Sequence, residues 1–247
     1  MSLRKPLLSV IVPAYNEANR LPLTLVDIDR HLSTRKYTYE ILVVDDGSRD
    51  DTAGVAKKFI KLIPNLRVTG YEHNQGKGEA VRVGMLEARG KYRLFTDSDN
   101  STSIDHFDKM LPLLREGYDI VICSRDVEGS KMHPPQSFLK RTLGNLGNLY
   151  VQLLLLPGIK DTQCGFKAFT EESAEKIFAL QKIKRWGFDI EALALGKRMG
   201  YKIKEIPAYW INDADSRVKS IAYFQVLWEA FKVRWWLWRN KYLLGNK

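Results

Sequence analysis

Cysteine is scarce: Cys123 and Cys164 are the two in 247 residues, too few for a disulfide framework and, by themselves, for a zinc site. A reducing compartment is the expectation. No apolar run approaches the roughly 20 residues needed to span a bilayer, since the most apolar stretch, residues 149–156, stops at Pro157 and Gly158. The first apolar run is short, is broken by Pro13 and lacks a small-residue cleavage site, so neither a signal peptide nor a spanning helix is expected. Internal repeats, low-complexity tracts and Gly/Ser linkers are also lacking, which argues for one domain rather than an array. Acidic residues are in the minority, 29 against 39 lysines and arginines, for a formal charge of +10. That excess implies attraction to phosphate in a nucleic acid, an anionic membrane surface or a phosphorylated substrate.

What is present suffices for a folded core: 45% of residues are hydrophobic and 28% charged, outside the range of disordered chains. Short β-branched runs at 8–12, 40–44, 66–69, 92–96 and 120–124 alternate with helical patterns at 21–32, 51–62, 77–88 and 104–115. Alternation of this kind predicts an α/β fold with a mostly parallel sheet covered on both faces. Ligands of such sheets collect beyond the carboxyl ends of the strands. After Ser124 the rhythm breaks into a charged loop at 126–136, a helix at 137–156, a DTQCGF segment, two further helical patterns and a last strand at 203–210.

Chemistry-bearing residues follow the strands. Pro13-Ala14-Tyr15-Asn16-Glu17 ends the first, and Asp45-Asp46-Gly47-Ser48 ends the second. Carboxylates there can accept hydrogen bonds from a base or a ribose. Asp50, Asp51 or Thr52 reads as a helix cap and Gly47 as a turn, but capping does not account for both Asp45 and Asp46. The fourth strand runs into Asp97-Ser98-Asp99-Asn100. Alternate carboxylates on a turn can share a hard divalent cation and leave positions for phosphate oxygens, although many such pairs only cap or turn. Asn74-Gln75-Gly76-Lys77-Gly78 opens a helix; it is either a glycine turn or an anion-binding helix N-terminus with Lys77 beside it.

In this order and spacing, VIVPAYNE, VVDDGSRDDT, NQGKGEAV and DSDN, followed by DTQCGFKAF and RWGFDIE, resemble the inverting nucleotide-sugar transferases of glycosyltransferase family 2. The last two motifs look like the branch that glycosylates polyprenyl phosphates, the dolichyl-phosphate β-glucosyltransferases above all. The resemblance covers nearly the whole chain. It implies a GT-A (Rossmann-like) fold, a UDP- or GDP-sugar donor and Mg²⁺ or Mn²⁺. By the same resemblance Pro13, Tyr15, Glu17, Asp45 and Asp46 hold the nucleoside with Val44 along the base, Asp97 and Asp99 face the metal and diphosphate, Ser98 lines the nucleotide and Gln163 approaches the metal. Ser98 stands where relatives carry alanine, and Ser216-Arg217 where they usually carry Ser-Lys, which makes Arg217 a phosphate contact.

Displacing a nucleoside diphosphate builds negative charge that a cation and nearby basic groups stabilise. A lipid phosphate acceptor is already an anion, so positioning matters more than a general base. Arg125 and Arg141 are the candidates for the acceptor phosphate, with Lys167 third; each is also readable as an ordinary ion pair. Asp189 and Glu191 read as helix-start acids, and Asp189 is the base if the acceptor is a hydroxyl.

From Ser220 onward, Phe224, Trp228, Phe231, Trp235, Trp238 and Tyr242 recur at four- and three-residue steps, one helix face flanked by Lys232, Arg234, Arg239 and Lys241. Residues 217–247 hold seven lysines or arginines against Glu229. The division expected is therefore a transferase domain at 1–216 and a basic, Trp-rich helix at 217–247 lying on a membrane through about 220–243, alongside the 137–156 helix. The alternative for the stripe is core or protein contact. The expectation is glucose transfer from UDP-glucose to a dolichyl-type phosphate by a peripheral enzyme at a cytosolic membrane face. GDP-mannose or another UDP-hexose or N-acetylhexosamine is the alternative donor. A nucleic-acid-binding module also fits the charge, but the acidic cluster of Asp45, Asp46, Asp97 and Asp99 argues against it.

Overall fold

Parallel pairing builds most of the molecule. In the computed structural model, which describes residues 5–135, 138–211 and 221–242, seven strands form one sheet in the order β3-β2-β1-β4-β7-β5-β8. They are β1 (Leu8–Ala14), β2 (Tyr39–Asp46), β3 (Leu66–Tyr71), β4 (Tyr92–Thr96), β5 (Ile120–Ser124), β7 (Phe166–Thr170) and β8 (Ile203–Pro207). β1, β2, β4 and β5 are buried along nearly their whole length, which is why they read as continuous apolar runs rather than alternating ones.

Helices cover both faces. α1 (Leu21–Leu32), α2 (Thr52–Phe59) and α4 (His106–Arg115) close one core, where Leu25, Ile28, Ala56, Phe107 and Met110 meet Val10, Val43 and Leu94. α3 (Lys77–Glu87), α6 (Glu171–Leu180), α7 (Phe188–Arg198) and α8 (Ile221–Trp238) close the other, where Val81, Ile177, Leu193 and Val233 meet Leu42, Phe95 and Phe169. α5 (Phe138–Leu154) packs against α8. β6 (Lys131–His133) pairs parallel with β9 (Tyr209–Ile211) as a separate two-stranded ribbon.

Two departures from expectation have physical causes. β7 runs antiparallel to both β4 and β5, within a segment that does not read as a strand because the charge of Lys167 interrupts its apolar run. The strand expected at 203–210 divides at Ala208, whose N–H donates to the Ser124 carbonyl, so its first half continues the main sheet and its second half leaves to pair with β6.

Register places the site. Ala14 lies opposite Asp45 and Pro13 opposite Val44, while β4 runs parallel to β1 on its other side. The chain thus leaves β1, β2 and β4 along one edge. Strand order reverses between β1 and β4, the crevice position for ligands in sheets of this kind.

Candidate active site at the ends of β1, β2 and β4

The loops after β1 and β2 lock one another. Asn16, in the left-handed region at φ 57°, receives Arg49 N–H on its side-chain oxygen at 2.7 Å and donates its own N–H to Ser48 Oγ at 2.9 Å. Glu17 N–H donates to Thr52 Oγ1 at 2.8 Å, and the buried Glu17 carboxylate takes both Nε and Nη2 of Arg20 at 2.7 and 2.6 Å. Asp50 Oδ1, rather than Asp51, accepts the Thr52 N–H at 3.0 Å at the start of α2. Tyr15 leaves the strand half-exposed at the crevice edge, while Pro13 stays buried within β1.

Of the paired acids that end β2, Asp46 serves the structure. Its two oxygens accept from Tyr71 Oη, Asn74 Nδ2 and the N–H groups of Gln75 and Gly76, all between 2.7 and 3.1 Å, which fixes the loop leading to α3. Asp45 differs. One oxygen receives only a long 3.4 Å bond from Ser48 N–H, and Oδ1 has no partner, a state that costs free energy unless a ligand donor completes it. Val44 is fully buried, and a Cβ built at Gly84 of α3 would lie 3.0 Å from its Cγ2. Its side chain belongs to the core beneath α3.

Asp97 and Asp99 are both partly exposed beyond β4. α1 holds their turn from behind: Thr24 Oγ1 donates to the Ser98 carbonyl at 2.7 Å, and Asn100, at φ 56°, donates Nδ2 to Asp27 at 2.8 Å. Ser98 is buried and joins the turn through its backbone. Gly165 closes the turn from the front, because a Cβ there would overlap the Asp97 carboxylate. Neither Thr24, Asp27 nor Gly165 stands out in the sequence as a site-shaping residue; helical spacing marks only the first two as a face of α1.

Lys77 is the first residue of α3, and its Nζ lies 2.5 Å from Asp97 Oδ1. Burial opposes the lysine's charge, but Asp97 and then Asp189 outweigh it and hold Lys77 above the ordinary lysine range. Burial, then the neighbouring Asp97 charge, pushes the Asp99 carboxyl up. Two hard oxygen donors sharing an under-compensated negative field suit a divalent cation. Among the described residues no cluster of three or more His, Cys, Asp or Glu side chains could hold a metal ion. Gln163, half-buried in the DTQC segment, donates its N–H to Asp161 at 3.1 Å.

The glycines of the 74–78 loop pack against protein. A Cβ at Gly76 would strike the Lys184 carbonyl, and one at Gly78 would strike Phe188 and the Ile183 carbonyl. Glu79 N–H donates to Lys184 O at 3.1 Å and Gln181 Nε2 to Gly78 O at 2.8 Å. The close approach is therefore to the RWGFDIE segment, which brings Asp189 towards Lys77.

Three of the charged candidates are engaged in ion pairs, the alternative reading for Arg125 and Lys167. Lys167 is fully buried and donates to Asp189 Oδ1 and to the Cys164 carbonyl, each at 2.5 Å, so it cannot reach an acceptor phosphate. Asp189 in turn is covered by that ammonium, and burial leads the causes that raise its carboxyl; it is neither an exposed cap nor a free base. Arg125 lays its guanidinium on the buried Asp161 and stacks over Trp210 at 5.6 Å, which makes it an anchor of the DTQC segment. Arg141 is exposed on α5. Arg217 lies outside the described residues.

Glu191 is also structural: it accepts from Lys182 N–H, Ile183 N–H and Tyr242 Oη at 3.0, 2.7 and 2.7 Å. Tyr242 is thereby buried beyond the end of α8, which corrects its place in the aromatic stripe. The other five aromatics point outward, from Phe231 and Trp235, both just under half exposed, to Phe224 at 75%. Val226, Glu229, Ala230 and Val233 face inward, with Glu229 accepting the Gly187 N–H at 2.7 Å. Phe231, Arg234, Trp235 and Trp238 line a shallow recess of about 250 Å³. On α5, Leu146, Leu149 and Leu153 are exposed as well. Among the described residues no helix is long and apolar enough to cross a membrane.

Residues 9–178, more than half of the chain, match the model of glycosyl transferase family 2. The chain belongs to glycosyltransferase family 2. Among its relatives, the dolichyl-phosphate β-glucosyltransferase of Dictyostelium discoideum is 38% identical over 96% of this chain and 75% of that one. The human dolichyl-phosphate β-glucosyltransferase is 35% identical over 85% of this chain and 69% of its own length. Among solved structures, glucosyl-3-phosphoglycerate synthase of Mycobacterium tuberculosis, in complex with Mn²⁺, UDP and its product, superposes with a TM-score of 0.68 at 20% identity, over 92% of this chain and 78% of that one. That likeness confirms the GT-A fold of this family member, and the ends of β1, β2 and β4 are its candidate donor site.

Proposed function

We propose that this family 2 transferase moves glucose from UDP-glucose to a dolichyl-type polyprenyl phosphate with inversion at the sugar. The observation that carries the reading is the Asp97–Asp99 pair, clamped between α1 and Gly165 at the strand-order reversal with Lys77 against it. The relatives named dolichyl-phosphate β-glucosyltransferase support the sugar and the acceptor, and the UDP-bound neighbours of the same fold support UDP as the nucleotide.

Asp97 and Asp99 are the residues that would hold Mg²⁺ or Mn²⁺, which supplies positive charge where negative charge develops on the departing diphosphate. Lys77, at the N-terminus of α3, adds an ammonium and the helix's own partial charge to the same place. Asp45, with its unpartnered Oδ1, and Tyr15 take the nucleoside. Asp189 is held by Lys167 and does not act as a base, which suits an acceptor phosphate that is already ionised. Arg141 meets that phosphate from α5, and Arg217 remains a second contact.

The acceptor's chain requires a membrane, and the outward aromatics of α8 suit its boundary. Lys232 lies over Trp228 at 5.9 Å and Arg239 over Trp235 at 5.5 Å, a pairing of rings and snorkelling cations that matches an anionic headgroup layer. The protein works there as a peripheral enzyme on the cytosolic face. Incubation with a panel of UDP- and GDP-sugars, Mg²⁺ or Mn²⁺ and polyprenyl phosphate tests the donor. UDP-glucose is expected to give lipid-linked sugar; GDP-mannose as the better donor would overturn the assignment.

A further inference from the structure

The charge balance around Lys77 carries an inference that rests on the donor-site reading and goes beyond it. Lys77 touches Asp97 directly and also feels Asp189 and Asp99. Lys167 is the other ammonium of this group, bound to Asp189. In their ionised forms three carboxylates face two ammoniums, one net negative charge in a partly buried space. A divalent cation placed on Asp97 and Asp99 alone turns that balance positive and must compete with Lys77 for Asp97 Oδ1. A pyrophosphate arriving with it restores the balance and offers Lys77 a new anion.

We infer that Lys77 is the resident counter-cation of Asp97, released onto the diphosphate when metal and nucleotide enter together, so that it couples the two binding events. The ammonium holds a place at the metal-facing carboxylate in the free protein and thereby weakens metal binding until a nucleotide is present. Like charges repel strongly at such short range when water is partly excluded, and by linkage the nucleotide must tighten the metal by the same factor that the metal tightens the nucleotide. The position of Lys77 favours the exchange: it is the first residue of α3, where the helix's partial positive charge favours an anion.

The test measures Mn²⁺ binding by the electron paramagnetic resonance signal of the free ion, and UDP binding by calorimetry, on the full chain. For Lys77→Gln the expectation is about tenfold tighter Mn²⁺ binding without nucleotide, about tenfold weaker UDP binding in saturating Mn²⁺, and a smaller coupling factor between them. Lys77→Arg, which keeps the charge, should retain weak metal binding and most of the UDP affinity. Unchanged or weaker Mn²⁺ binding by Lys77→Gln overturns the inference, as does unchanged UDP affinity. If Lys77→Gln fails to fold, as a thermal melt would reveal, the wild-type protein and Lys77→Arg still decide: absence of coupling between Mn²⁺ and UDP in both overturns it. Failure of the wild-type protein to bind UDP at any Mn²⁺ concentration would instead overturn the donor-site reading itself.

Discussion

Arg125 and the fully buried Asp161 form a two-pronged ion pair, Nε to Oδ2 at 2.7 Å and Nη2 to Oδ1 at 2.9 Å, with the Arg125 N–H adding a third bond at 3.0 Å. Burial alone would push the Asp161 carboxyl up, but the Arg125 charge and hydrogen bonds outweigh it and bring the carboxyl down to about 2. A carboxyl depressed in the folded state contributes stability that is complete above its unfolded value near 4 and is lost as the pH falls towards 2, here about 2 kcal/mol. Denaturant unfolding at pH 5 and pH 2.5 should show the wild-type protein losing about that much more than Asp161→Asn. Equal losses would mean that the pair does not set acid stability.

Gly165 concerns the site more directly. A methyl group there overlaps the Asp97 carboxylate, so Gly165→Ala should displace Asp97 while leaving β7 paired. Expected outcomes are loss of Mn²⁺-dependent UDP binding by at least about tenfold, a cost comparable to one lost charge-assisted contact, with little change in the melting temperature. Calorimetry of UDP in Mn²⁺ beside a thermal melt checks both halves.

The bond from Thr24 Oγ1 to the Ser98 carbonyl fixes the Asp97–Asp99 turn from α1. Thr24→Val keeps the shape and removes the donor. Losing one buried hydrogen bond costs about 1 kcal/mol, and because the turn carries Asp97 and Asp99 the loss should appear as roughly fivefold weaker binding of UDP with Mn²⁺. Thr24→Ser should restore it. A stability loss without a change in UDP binding would confine Thr24 to the core.

Much of this arrangement is legible in the sequence, for a physical reason: in a parallel sheet the strands are continuous apolar runs and their C-terminal ends share one edge. Val10, Val43 and Leu94 mark the strands, and Asp45, Asp97 and Asp99 follow them directly. What escapes the sequence is where each charge spends itself. Asp46, Lys167, Asp189 and Arg125 look like ligand-binding groups, yet each is satisfied by a partner 22 to 36 residues away in the chain. β7 escapes because a buried ion pair puts a lysine inside a strand. Tyr242 follows the helical spacing of the aromatic stripe, but α8 ends at Trp238, and Asn240 in the left-handed region at φ 53° turns the chain back to Glu191.

The outward face of α8 gives a separate expectation. Trp235→Glu with Trp238→Glu places charge on exposed rings without touching Val233 or Ala230 beneath. Sedimentation with anionic vesicles should fall by at least about tenfold, the scale expected from losing two buried aromatic contacts. UDP binding should remain as in the wild-type protein. Retained vesicle binding would place the membrane contact elsewhere.

Inverting transfer of glucose from UDP-glucose to a polyprenyl phosphate at the Asp97–Asp99 site predicts a β-linked lipid product. The most direct measurement is nuclear magnetic resonance of the lipid product made in vesicles from UDP-glucose, dolichyl phosphate and Mn²⁺, by the wild-type protein and by Asp97→Asn. The expected result is a β-glucosyl phospholipid from the wild-type protein and none from Asp97→Asn. An α-linked product, free glucose alone, or full activity of Asp97→Asn would contradict it.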